Sequence, residues 1–130
     1  MKLLLDTHVF LAIADLGSAK LPDEMLSAMT HASAQLYVSV ASLWEIAIKT
    51  RLGKLELGLH PAELIDLCTA ASATILPIEA QHVLVDLTPE PRTRDPFDRL
   101  LLAQAHIGQM HLVTLDQALV GHALAWRARA

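Results

Sequence analysis

Short apolar runs alternate with longer stretches of helical periodicity along the whole chain. The apolar runs predict strands buried on both faces, the pattern of a parallel sheet, and they lie at residues 2–5, 35–40, 74–78 and 111–115. Strands that alternate with helices imply right-handed crossovers and a parallel sheet covered on both sides. We therefore expect an α/β fold of three layers (α/β/α), with a central parallel sheet of four to five strands.

The segments between the strands carry start and stop residues typical of helices. The predicted helices span residues 7–17, 21–32, 41–52, 61–72, 79–87 and 96–108, and a last helix begins at residue 117. Asp95 is predicted as the N-cap of the helix that starts at Pro96, because proline is favoured at the first helical position. The tail near Trp126 is predicted to add one more edge strand.

Composition narrows the class of protein. A chain of 130 residues is expected to form one domain, residues 1–130, and its 53% hydrophobic content excludes a disordered chain. Cys68 is alone and lies in an apolar helical stretch, so we expect a buried thiol and a reducing compartment. No apolar run approaches the ~20 residues of a membrane span. Asp6 and His8 interrupt the apolar start, so no secretory leader is expected and the predicted location is cytoplasmic.

Four acids stand where the predicted sheet would bind a ligand. Asp6 and Asp116 follow strands, Glu45 lies in the helix after the second strand, and Asp98 lies in the first turn of the helix at 96–108. In open α/β sheets, ligands bind beyond the carboxyl ends of the strands. Four acids delivered there from four segments predict a divalent-metal site, and hard oxygen ligands favour Mg²⁺ or Mn²⁺.

Each acid also has a purely structural interpretation. Asp6 and Asp116 each stand where a helix N-cap is expected, and Glu45 has Lys49 at i+4, a routine helix pair. The net charge of −4 argues against passive binding of nucleic acid. The basic residues nevertheless cluster beside the acids in the sequence, as expected if the partner is a phosphate bridged by metal. Alternatively, each of them lies on a solvated helix face. These residues are Lys49, Arg51, Lys54, Arg92, Arg94 and Arg99.

Four ordered motifs carry a family resemblance over nearly the whole chain: LLDTH at 4–8, LWEI at 43–46, RDPFDR at 94–99 and LVTLD at 112–116. With them the chain resembles PIN-domain proteins, specifically the VapC-type ribonuclease toxins of bacterial toxin–antitoxin pairs. It departs from the pattern at Thr93, where relatives often have His. The resemblance implies a PIN-like α/β/α fold and Mg²⁺-dependent endonucleolytic cleavage of RNA.

The resemblance also assigns residues. It makes Asp6, Glu45, Asp98 and Asp116 the catalytic quartet, with Asp6 and Asp98 as the metal ligands, Glu45 and Asp116 in support, and Asp95 as a further candidate. We expect the substrate to contact residues around this quartet, namely Thr7, Lys49, Arg94, Arg99 and Thr114.

Partners follow from the same resemblance. It implies inhibition by a VapB-like antitoxin, and homodimers that assemble with it into a hetero-oligomer. We expect the antitoxin to cross the apolar first helices beside Phe10, Leu11, Leu16 and Leu21 and to push a basic side chain among the acids.

Two other functions stay open from the sequence. A PIN fold without catalysis would serve only as an interaction module, although the presence of all four acids argues against decay. A phospho-acceptor signalling domain also places acids at strand ends. Such domains need a lysine late in the chain, and no lysine follows Lys54.

Overall fold

Four parallel strands form the central sheet of the computed structural model, which describes residues 1–17 and 20–128. In chain order the strands are β1 (Lys2–Leu5), β2 (Gln35–Ser39), β3 (Ala73–Leu76) and β4 (His111–Val113). Their order across the sheet is β3-β2-β1-β4. The first strand is central, and Leu4 pairs with Tyr37 on one side and with Leu112 on the other. The predicted parallel α/β architecture is confirmed.

Helices flank the sheet on both faces. They are α1 (Thr7–Ile13), α2 (Asp23–Thr30), α3 (Val40–Arg51), α4 (Leu64–Ala70), α5 (Ala80–Leu84) and α6 (Pro96–Gly108), and a 3-10 helix (Pro61–Glu63) leads into α4. Within residues 1–17 and 20–128, none of these helices has the length and apolar character needed to cross a bilayer.

The strand β1 divides the hydrophobic core into two clusters. Side chains alternate between the faces of a strand, so Leu3 and Leu5 belong to one cluster and Leu4 to the other. All three are fully buried, as the continuous apolar run predicts. The first cluster includes Cys68, whose thiol is buried as expected, and the second includes Leu102 of α6. The sheet is thus held between two apolar layers.

The prediction of a helix from residue 117 is wrong. Residues 117–120 form turns, because the Asp116 backbone carbonyl accepts from the N–H groups of both Leu119 and Val120. The chain then returns at once to the sheet edge, where Ala125 pairs with Leu112. The predicted edge strand is therefore a single bridge beside β4, and the short return leaves no length for a helix.

Several elements end earlier than predicted, and two of them show a local cause. The first helix stops at Ile13 instead of residue 17, since Asp15 takes a left-handed φ of 59° that a helix cannot continue through. The fourth strand stops at Val113 instead of residue 115. There the Thr114 hydroxyl accepts from the Asp116 N–H at 3.0 Å, which turns the chain away from the sheet.

The predicted cap of α6 is present: the Asp95 carboxylate accepts from the Phe97 N–H at 2.8 Å. We expect Asp95→Ala to be less stable than Asp95→Asn by about 1 kcal/mol, because Asn keeps a cap acceptor and Ala does not. In a domain of this size the difference is about 3–5 °C in Tm by calorimetry. Both variants remove the same charge, so their difference isolates the cap. Equal Tm values for the two would show that the cap contributes nothing.

Candidate active site

Four carboxylates, those of Asp6, Glu45, Asp98 and Asp116, lie near the carboxyl end of the sheet. Asp6 directly follows β1, and its backbone N–H donates to the carbonyl of Val113, the last residue of the neighbouring strand, at 3.0 Å. Helix α3 begins at the end of β2 and carries Glu45. The first turn of α6 carries Asp98. Parallel pairing places the ends of these strands side by side, so that acids distant in sequence share one region.

Asp6 serves both as a helix cap and as part of this region. One carboxylate oxygen accepts from the Val9 N–H at 2.8 Å and caps α1, which confirms the structural interpretation. The other accepts a hydrogen bond from the Thr114 hydroxyl. Burial raises the pKa of Asp6, and the charge of Asp116 adds to the rise, against the lowering by the two hydrogen bonds. A buried carboxylate held by two donors has a fixed orientation.

Glu45 is held by two other expected site residues. Its carboxylate accepts from the Thr7 hydroxyl at 2.7 Å and pairs with the Lys49 ammonium at 2.9 Å. The i+4 helix pair is therefore confirmed, yet the Glu45 side chain is only 13% exposed. The hydroxyl from α1 and the ammonium from α3 fix Glu45 between the two helices.

Asp98 provides the clearest sign that the acids converge. The pKa of Asp98 is raised from 3.8 to about 6, mostly by burial and then, in decreasing order, by the charges of Asp95, Asp116 and Glu45. A hydrogen bond from the Thr93 hydroxyl, at 3.0 Å, opposes the rise. Because Asp116 and Glu45 come from other segments, the negative charges of three parts of the chain act on one carboxylate.

Two threonines make the same pair of hydrogen bonds around the acids. The Thr114 hydroxyl accepts from the N–H of Asp116, two residues on, and donates to Asp6. The Thr93 hydroxyl accepts from the N–H of Asp95, also two residues on, at 3.1 Å and donates to Asp98. Each hydroxyl thus forms a local turn and orients a second carboxylate outside that turn. Sequence reasoning missed this role of Thr93, although Thr-x-Asp at both 93–95 and 114–116 was a signal for it.

The remaining predicted residues lie around the rim. Asp95 and Asp116 are exposed, and each caps a turn of its own chain segment. Arg94 is exposed, and Arg99 is half-buried and forms an ion pair with Glu90. The structure therefore places Arg94 at the surface next to the acids, while Arg99 is held by an acid outside the quartet.

The donor set fits a hydrated cation. Over residues 1–17 and 20–128, no three His, Cys, Asp or Glu side chains come close enough together to form a metal site by themselves. Mg²⁺ usually takes one or two carboxylates and keeps several waters. Oxygen donors on separate elements, repelling one another across the space between them, suit an ion of that kind.

Comparison with known proteins agrees with this geometry. A search of curated proteins finds no match to this chain. The family model described as PIN domain matches residues 3–123, which include all four carboxylates and both threonines. Proteins with this domain are generally nucleases, and the four-stranded parallel sheet between helices is consistent with their fold. The chain belongs to the PIN domain family.

Proposed function

We propose that the chain is a Mg²⁺-dependent endoribonuclease and the toxin of a VapBC-type toxin–antitoxin pair. The observation that carries this proposal is the convergence of acids on Asp98, whose pKa is raised to about 6 by burial and by the charges of Asp95, Asp116 and Glu45. Like charges held together in a partly buried site destabilise the folded chain. The arrangement has a chemical purpose if a cation and a phosphate enter it.

The residues divide the work by position. Asp6 and Asp98 would hold Mg²⁺, or Mn²⁺, directly or through water, with Glu45 and Asp116 in support. When bound, the cation would supply water activation and neutralise the charge on the leaving oxygen. The hydroxyls of Thr114 and Thr93 keep the first two carboxylates oriented, so that little reorganisation is needed on binding.

Substrate contacts are proposed for residues on the rim. Arg94 is exposed, and its guanidinium is available to donate two hydrogen bonds to two oxygens of one phosphate. Lys49 and Arg99 are each paired with a glutamate and can exchange that partner for a phosphate. Thr7 and Thr114 face carboxylates, and we propose that their contact with substrate is through the acids they hold.

The antitoxin surface is proposed at a cavity of about 360 Å³ between α1 and α3, beside Thr7 and Lys49. Its apolar walls include Leu16 and Ile46. Phe10, expected on this surface, is fully buried in the core and cannot contribute. We propose that a VapB-like antitoxin fills the cavity with an apolar side chain and places a guanidinium among the carboxylates in place of the cation.

Assembly and location complete the proposal. We propose a homodimer that joins the antitoxin in a hetero-oligomer, as the resemblance to VapC toxins implies, and we propose that it acts in the cytoplasm. A catalytically silent PIN module is the alternative, and a cleavage assay separates the two. A phospho-acceptor domain is disfavoured, because the chain belongs to the PIN family and has no lysine after Lys54.

We expect the purified chain to cleave single-stranded or looped RNA in Mg²⁺ or Mn²⁺ and not in EDTA. Asp6→Asn and Asp98→Asn should each abolish cleavage, because they remove the charge that holds the cation. Gel analysis of end-labelled RNA measures the products. Asp66→Asn, on helix α4, is the matched control and should cleave as the wild type does. Full cleavage in EDTA by the purified chain would exclude the metal mechanism.

Stability without metal should depend on pH through Asp98. The pKa of Asp98 is about 6 in the folded chain against 3.8 ordinarily, so the folded state binds the extra proton between these values. The free energy of unfolding should therefore fall as pH rises through this window and stay low above it. Asp98→Asn carries no charge, so in EDTA its Tm should exceed the wild-type Tm at pH 7 and lose this advantage at pH 4.

The same two proteins report on the cation. Added Mg²⁺ should raise the wild-type Tm at pH 7, because it binds only the folded state, and should raise the Tm of Asp98→Asn less. The assignment of Asp98 as a metal ligand would be wrong if Asp98→Asn lowered the metal-free Tm and left the Mg²⁺ response intact. Asp95 would then be the better candidate ligand.

The toxin role has its own test in growing cells. Induced expression of the wild-type chain in a bacterium that lacks the antitoxin should arrest growth, because RNA cleavage stops protein synthesis. Asp98→Asn, expressed to the same level, should not arrest growth. Normal growth with a wild-type chain that cleaves RNA in vitro would leave a PIN ribonuclease and exclude the toxin role.

A further inference from the structure

An exposed aromatic side chain lies next to one of the acids in the sequence. Trp44, on α3, immediately precedes Glu45 and is 58% exposed. Its ring meets the ring of Phe97 edge to face, with the centroids 5.6 Å apart and the planes at 69°. Phe97 immediately precedes Asp98 at the start of α6. Glu45 and Asp98 are thus each preceded in the sequence by one member of a contacting aromatic pair.

One ring of the pair packs against the core, and the other is exposed to solvent. Phe97 is half-buried and packs against the second core cluster, which anchors its ring. Trp44 rests on it through an edge-to-face contact, a favoured geometry for aromatic rings. Val40, one turn earlier on α3, is 36% exposed and extends the apolar surface. A large indole left open on a fixed support is available to a ligand with a flat apolar face.

Charge on this chain favours such a contact for RNA. The net charge is −4, and two of the cations near the acids, Lys49 and Arg99, are paired with Glu45 and Glu90. Phosphate contacts by these two side chains are therefore weakened by the need to break an ion pair, since such contacts depend on unpaired positive charge. Stacking of a nucleobase on an aromatic ring needs no charge, and every base offers a flat face.

We propose that Trp44, supported by Phe97, is a stacking site for an unpaired nucleobase of the RNA whose phosphate lies at the acids. This inference rests on the proposed ribonuclease function and gives it a substrate class, RNA with unstacked bases. A base in a regular duplex is stacked between its neighbours and cannot reach the indole. The site thus selects single strands and loops at the position next to cleavage.

Tryptophan fluorescence tests the site without cleavage. The chain has two tryptophans, so Trp126→Phe leaves Trp44 as the single reporter and Trp44→Phe leaves Trp126. In EDTA, oligoadenylate should quench Trp44 and leave Trp126 unchanged. An abasic ribose-phosphate oligomer of equal length should quench neither. Equal quenching of Trp44 by the abasic oligomer would overturn the proposal, because phosphates would then account for the contact.

Affinity for oligoadenylate gives the second measurement. Trp44→Ala should weaken binding roughly 5- to 150-fold, the range expected for one stacked base, and Trp44→Phe should retain most of the affinity. Leu52→Ala is the matched control, because Leu52 lies at the end of the same helix and is 62% exposed. Wild-type affinity for Trp44→Ala would overturn the proposal. If that variant also sedimented as a smaller species, a second copy of the chain would be the occupant.

Failure of this site is distinguishable from failure of the proposed function. If Asp98→Asn abolishes cleavage while Trp44→Ala binds and cleaves as the wild type does, the stacking site is wrong and the ribonuclease stands. If the wild-type chain cuts no RNA in Mg²⁺ while oligoadenylate still quenches Trp44, the stacking site stands and the ribonuclease is wrong.

Discussion

The pairing of β1 between β2 and β4 determines where the candidate active site lies. Because these strands run in parallel, their carboxyl ends meet at one edge, and the N–H of Asp6 bonds the carbonyl of Val113 across that edge. The start of α3 and the start of α6 bring Glu45 and Asp98 to the same region. Displacement of β1 from the centre of the sheet would separate the acids, whatever their identity.

The fold was predictable because a strand that is buried on both faces has a continuous apolar sequence. Leu3, Leu4 and Leu5 are apolar without alternation, and each lies in the core on one face or the other. The end of the chain was not predictable in the same way. Local propensity favoured a helix at residue 117, but the carbonyl of Asp116 closes a turn and Ala125 forms a bridge with Leu112 at the sheet edge. Tertiary pairing there overrides a local preference.

The placement of four acids near the carboxyl end of the sheet was predictable from their positions after strands and in helices. The threonines that orient Asp6 and Asp98 were not predictable, because nothing in the sequence shows which carboxylate a hydroxyl will bond. Thr93 first appears as a departure from the family pattern, yet in the structure it orients Asp98. Trp44 first appears as part of a motif, and only its contact with Phe97 and its exposure distinguish it from a core residue.

The hydrogen bond from Thr114 to Asp6 joins residues 108 positions apart in the chain. During synthesis on the ribosome, Asp6, Glu45 and Asp98 emerge before the strand that carries this hydroxyl to them. A nascent chain that still lacks residues 111–116 has neither β4 nor the fourth acid, and its first acid has no hydroxyl to orient it. For a protein proposed to cleave RNA, this order of assembly would delay activity until β4 has emerged and paired with β1.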